Sequence, residues 1–210
     1  LSLAHRGILF MDELPEFQRN ALDSLRQPLE TGEVVIARAN QTIRYPASIQ
    51  LVAAMNPCRC GYLTDPIRAC KRAPICASDY QNRLSGPMLD RFDMTLFLGN
   101  LTADQMLSKE RAESSDAIKT RVIKARSRSA AHTDNPGQTN AKLSANFEFK
   151  LTDEAESLLR ESIEKFSITA RGYHKVLRVA RSIRDLDEKE VIKPHHLAEA
   201  LTFRSRILTI

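Results

Sequence analysis

An aspartate and a glutamate stand side by side, Asp12 and Glu13, directly after the apolar run Gly7-Ile8-Leu9-Phe10-Met11. A short continuous apolar run is the pattern of a strand covered on both faces of a parallel sheet. In open α/β sheets, ligands bind beyond the carboxyl ends of the strands, which is where this pair falls. There Asp12 can hold Mg²⁺, usually through water, and Glu13 can orient and polarise an attacking water. Two acids after apolar residues also describe a plain solvated strand end, so the pair alone leaves both readings open. A second apolar run, Ile49-Gln50-Leu51-Val52-Ala53-Ala54-Met55, ends at Asn56, whose amide can position the same water. Arg91 stands between a turn and a third apolar run. It can project from the sheet edge toward a neighbouring subunit, or pair locally with Asp90 or Asp93.

The four cysteines, Cys58, Cys60, Cys70 and Cys76, all fall in one stretch. A disulfide-stapled secreted domain spreads its cysteines over the fold, so this clustering points to metal or to reduced thiols. Four thiolates can close a tetrahedral Zn²⁺ site. The spacing is looser than a Cys-x₂-Cys knuckle, with Cys76 the loosest member. Structural zinc and free thiols both stay open.

The first half of the chain alternates strand and helix. Strands are expected at 7–11, 49–55 and 92–98, with helices at 16–29 (opened by Pro15) and around 78–84. Two β-prone runs, 33–37 and 41–45, flank Arg38-Ala39-Asn40 and predict a β-hairpin with Arg38 near its tip. The second half is helical. A long charged helix is expected over 102–128, a loop over 132–146, and helices from 151 (Thr152 as N-cap), over 170–186, and from 193 with Pro194 in its first turn. The expected boundary lies at residues 99 and 100, with an α/β layer (1–99) before a helical bundle (100–210).

The net charge is +5. That permits a polyanionic partner without requiring one. No apolar run approaches the roughly 20 residues of a membrane span. The chain starts at Leu1 without an initiator Met or a basic-then-apolar leader. A fragment of a longer cytoplasmic protein is therefore the expectation.

Together these motifs, in this order, resemble the core of an AAA+ ATPase. Ile8 to Glu13 resembles a Walker B strand, Asn56 a sensor 1 residue, and Arg91 an arginine finger. Ser85-Gly86-Pro87-Met88-Leu89-Asp90-Arg91-Phe92-Asp93 is similar to the corresponding segment of magnesium chelatase ATPase subunits and MCM helicases. The hairpin is similar to the pre-sensor-1 hairpin those families share. Asp12-Glu13-Leu14-Pro15-Glu16-Phe17, Arg26-Gln27-Pro28-Leu29-Glu30 and Ala53-Ala54-Met55-Asn56-Pro57-Cys58 resemble the magnesium-chelatase-like ComM/YifB group. Thr169-Ala170-Arg171-Gly172-Tyr173-His174 resembles its sensor 2 region.

The resemblance implies a partial AAA+ P-loop NTPase sheet with a β-hairpin insertion, followed by an all-α lid. It implies ATP and Mg²⁺ as cofactors and a hexameric ring, with Asp12, Glu13 and Asn56 acting from one subunit and Arg91 on the neighbour's nucleotide. Arg171 would contact nucleotide from the lid, and Arg38 would line a pore and grip DNA. The 210 residues lack a Gly-x-x-x-x-Gly-Lys-Ser/Thr loop, so they are not expected to bind ATP tightly or hydrolyse it alone. The implied function is a DNA motor for branch migration in natural transformation. The alternatives are a chelatase-type ATPase that remodels a protein partner, and a non-catalytic zinc-stapled binding module.

Overall fold

The computed structural model describes residues 1–38, 41–63, 68, 70–108, 112–131, 140, 143 and 146–204, with only the backbone described at Arg38. The chain divides into two compact units, Leu1–Phe92 and Asp93–Ser205.

In the first unit, β1 (Ile8–Met11) is followed by two short helices, α1 (Arg19–Ser24) and α2 (Arg26–Thr31). A hairpin of β2 (Glu33–Arg38) and β3 (Gln41–Pro46) leads to β4 (Gln50–Ala53), then α3 (Ile75–Gln81) and α4 (Gly86–Leu89). β4 returns to lie parallel to β1, with Ile8 opposite Gln50 and Met11 opposite Ala53. A parallel return needs a long crossover, here supplied by α1, α2 and the hairpin.

Side chains alternate across this pair. Leu9, Met11, Leu51 and Ala53 face a core with Leu14, Leu22, Leu25, Leu84 and Met88. Each large side chain fully buried there contributes about 1.5–3 kcal/mol. The apolar runs predict strands covered on both faces. Instead, Ile8 and Phe10 remain 63% and 60% exposed, because the helical core covers only the opposite side of the pair.

The single helix expected over 16–29 is broken. Leu14–Glu16 forms one 3₁₀ turn, and the helical stretch is interrupted at Leu25. Pro28 explains the break: it offers no N–H to the Ser24 carbonyl, and its ring crowds that oxygen. Gly32, at φ 74°, ends α2 in the left-handed conformation that glycine adopts without strain. Its carbonyl accepts from the Ala47 N–H at 2.7 Å, closing the base of the hairpin. The hairpin pairs Val34 with Tyr45 and Ile36 with Ile43. Its tip, Ala39 and Asn40, lies outside the described residues.

The strand expected over 92–98 does not form. These residues pair with no strand among the described residues, and Leu96, Phe97 and Leu98 are 65%, 67% and 92% exposed. An apolar run becomes a strand only where a neighbouring strand completes its ladder. The expected boundary at residues 99 and 100 falls within the second unit, because the segment before it bonds there. Lys175 Nζ lies 2.9 Å from Asp93 Oδ1, and the Thr95 N–H donates to the Phe203 carbonyl at 2.9 Å.

The long helix expected over 102–128 appears as α5 (Ala103–Leu107) and α6 (Ser115–Ala131). The chain leaves helical geometry at Ser108, φ −61° and ψ 131°. Most of the loop expected over 132–146 lies outside the described residues.

The remaining helices are α7 (Asp153–Phe166), α8 (Ala170–Leu186) and α9 (Pro194–Thr202). Thr152 caps α7 by accepting from the Ala155 N–H, and Thr169 caps α8 by accepting from the Gly172 N–H. Pro194 sits in the first turn of α9. Leu159, Val176, Leu177, Ala180, Ile192 and Leu197 form the core of this unit.

Candidate functional site

The parallel register brings the acid pair and the amide to one rim. Where β1 and β4 end, the Ala54 N–H donates to the Met11 carbonyl at 2.9 Å. The Leu14 N–H donates back to the Ala54 carbonyl at 3.0 Å. Asp12 and Glu13 therefore occupy the turn bracketed by these two bonds, and Asn56 lies two residues beyond Ala54. All three are exposed. Glu13 adopts a left-handed conformation, φ 49° and ψ 48°, and its N–H donates to Asp12 Oδ1 at 2.9 Å. A non-glycine residue held there costs about 1 kcal/mol and fixes a sharp exit from the strand. Exposed carboxylates at a strand end are hard oxygen donors, suited to Mg²⁺.

Two residues that the sequence did not single out support this rim from α3. Tyr80 is 4% exposed. Burial pushes its phenol upward, the negative charges of Glu16 and Glu13 add to this, and a hydrogen bond with the Asn56 backbone opposes it. Gln81, also 4% exposed, donates from Nε2 to the Pro57 carbonyl at 2.7 Å. A helix was expected around 78–84, but its charge and hydropathy do not reveal which residues face the Asn56 loop.

Arg91 follows α4, whose first turn is capped by Ser85 Oγ accepting from the Met88 N–H. Its Nη1 donates to the Pro87 carbonyl at 2.8 Å, and its Nη2 lies 2.6 Å from Glu30 Oε1. The local acid partner is thus Glu30 of α2, in place of the Asp90 or Asp93 suggested by proximity in sequence. Arg171 is an exposed residue in the first turn of α8, in the second unit. Arg38 is the last residue of β2, opposite Gln41, and its side chain lies outside the described residues.

The cysteines converge. The Sγ atoms of Cys58, Cys60 and Cys76 lie within 4.8 Å of one another, with Cys58 and Cys60 at 3.1 Å. Sulfurs around one tetrahedral Zn²⁺ are roughly 3.8 Å apart, so a small adjustment of the trio admits the ion. Cys76, the loosest by spacing, belongs to the trio because the first turn of α3 carries it back over Cys58. Cys70 touches the group through Cys60 and Cys76. The Cys60 thiol is lowered to about 7, first by the Tyr62 backbone N–H and then by Cys58. Burial raises Cys58.

A second cluster lies in the second unit and was not anticipated. Asp187 Oδ2 is 3.0 Å from His196 Nε2 and 3.4 Å from His195 Nε2. His196 is fully buried, and its Nδ1 accepts the Lys193 N–H at 3.0 Å. Nε2 therefore carries the ring proton and donates it to Asp187. This places His196 in the cap of α9 and leaves it no lone pair for a metal.

The fold is mixed α/β with a small parallel sheet, and the rim of that sheet carries Asp12, Glu13 and Asn56. Residues 1–106 match the family model "Magnesium chelatase, subunit ChlI", and residues 112–204 match "Magnesium chelatase, subunit ChlI C-terminal". The chain belongs to the magnesium-chelatase-like ATPase family, in its ComM/YifB-like branch. It is 41% identical over 211 residues to "Competence protein ComM" of Haemophilus influenzae, covering 99% of this chain and 40% of that protein. It is 39% identical over 207 residues to YifB of Escherichia coli, covering 98% of this chain and 40% of that protein. A shorter match, 35% over 57 residues, joins it to the "Magnesium-chelatase 38 kDa subunit" of Acidiphilium rubrum, covering 27% of this chain and 16% of that subunit. The chain thus spans about 40% of the length of its ComM and YifB relatives. Among the described residues, no helix is long and apolar enough to cross a membrane.

Proposed function

We propose that the full-length protein is a cytoplasmic, ATP-hydrolysing hexameric ring that moves on DNA, with this chain supplying the hydrolysis and sensing half of the ATP site. The observation that carries the reading is the meeting of Asp12, Glu13 and Asn56 at one rim of the β1–β4 pair. In this reading Asp12 would hold Mg²⁺, which would neutralise charge on the phosphates, while Glu13 and Asn56 would orient the water that attacks the γ-phosphate. Arg91 stabilises charge on the neighbouring subunit's nucleotide, and Arg171 senses nucleotide from a helical lid. The Arg38 hairpin lines the pore and meets DNA phosphates. Similarity to a protein named for competence supports DNA as the track. Lacking a phosphate-binding loop, the 210 residues alone turn over no ATP.

The match to a magnesium-chelatase subunit favours a second reading, in which the ring remodels a protein partner. ATPase assays of the full-length protein separate the two. DNA-stimulated turnover, abolished by Glu13→Gln with ATP still bound, is the expected result. Stimulation by a protein partner but not by DNA would select the second reading. Absence of any ATPase would leave a binding module.

The thiol cluster fits a structural Zn²⁺ held by Cys58, Cys60, Cys70 and Cys76, which would staple the loop after Asn56 and perform no chemistry. Metal analysis of protein purified without chelators is expected to give one zinc per chain. A metal-free, fully folded protein would leave reduced thiols in its place.

A further inference from the structure

Arg91 is turned inward, toward its own subunit. Nη2 faces Glu30 at 2.6 Å and Nη1 faces the Pro87 carbonyl at 2.8 Å, with the side chain only 11% exposed. Glu30 stands near the end of α2, and Arg91 directly follows α4. Both short helices are seated in one core: Pro28 of α2 is buried, Met88 of α4 is fully buried, and Leu29 and Leu89 pack beside them. The carboxylate and the guanidinium are therefore presented to each other by rigid elements. A guanidinium is a planar fork of fixed donors, and the edge given to a carboxylate is the edge that would bind a phosphate.

We propose that Glu30 is a positioning residue that holds Arg91 withdrawn. Turnover then requires Arg91 to exchange the Glu30 carboxylate for the phosphate of the neighbouring subunit's nucleotide. This rests on the reading of Arg91 as a residue acting in trans. The retracted and extended arginine form a two-state element, and the fraction extended scales the rate at a bound nucleotide. Because Glu30 is 46% exposed, solvent screens the pair and the bias it imposes is modest.

Steady-state ATPase of the full-length ring tests this. Glu30→Gln, which keeps the shape and removes the charge, is expected to raise basal kcat about 2- to 5-fold with KM for ATP unchanged. Glu30→Asp, which withdraws the charge by one methylene, gives a smaller rise and carries the test alone if Glu30→Gln fails to fold. Adding Arg91→Ala erases the gain, because the gain passes through Arg91. A purely structural role would lower kcat together with Tm and would not raise it. An unchanged or lowered kcat in the folded Glu30 variants overturns the proposal, as does a gain that survives Arg91→Ala. Normal turnover in Arg91→Ala alone is a separate outcome: it removes the trans reading itself, and the proposal with it.

Discussion

Gln81→Met removes one donor and little else. The substitution keeps the length of the side chain in a site that is 4% exposed, but Pro57 loses the Nε2–H that its carbonyl accepts at 2.7 Å. Stranding a buried acceptor costs about 1–3 kcal/mol. Pro57 is itself only half-buried, so water recovers part of the loss and about 1–2 kcal/mol is expected. The effect is local, because the bond ties α3 to the loop that carries Asn56 and Cys58. Hydrogen exchange of the full-length protein reads it directly. Pro57 has no amide proton, so the reporters are the amides of Asn56 and Cys58, which should exchange about 5- to 30-fold faster. Asn82→Ala is the control: the neighbouring Asn82 is exposed, and its Nδ2 donates to Ser78 Oγ at 3.1 Å. Equal exchange at residues 56 and 58 in wild type and Gln81→Met would refute the idea that α3 anchors this loop.

Two further outcomes are expected. Arg38→Glu in the full-length protein should weaken stimulation by DNA more than basal ATPase, since a reversed charge in the hairpin would oppose DNA phosphates. Equal losses in both would argue against a pore contact. Asp187 is held below its ordinary carboxylate value, first by the His196 hydrogen bond and then by His195. A depressed carboxylate adds stability that is present above its unfolded value and is lost as pH falls through the folded one. Wild type should therefore exceed Asp187→Asn in stability at neutral pH, and the gap should narrow as pH falls from about 5 toward about 2 in chemical denaturation. A gap that widens in acid would contradict the assignment.

Much of the frame was legible because local chemistry decided it. The apolar run into Asp12 and Glu13 marks β1, the two β-prone runs mark the hairpin, and Thr152, Thr169 and Pro194 stand where helices start. The break between α1 and α2 was missed: the apolar spacing over 16–29 suggested one helix, although Pro28 interrupts it. The rest depends on neighbours distant in sequence. Residues 92–98 have the composition of a strand, but composition cannot supply a ladder partner. Continuous apolar runs at β1 and β4 do not reveal that only one face of the pair is covered. The partner of Arg91 is an acid on α2, while Asp90 and Asp93 stand beside it in the chain. The sequence brings Cys76 to Cys58 and Cys60 only through the turn of α3, which linear spacing does not express. Tyr80 and Gln81 act by facing a loop that no periodicity assigns to them.

The central claim is that Glu13 and Asn56, carried just beyond the ends of two adjacent parallel strands, manage one water molecule. A double-mutant cycle on single-turnover ATP hydrolysis by the full-length protein tests it most directly, with Glu13→Gln, Asn56→Ala and the double variant. Groups acting on the same water predict that the double variant loses about as much rate as Glu13→Gln alone, so the two losses fail to multiply. Losses that multiply in full would mean that the two residues act independently, and would contradict the account.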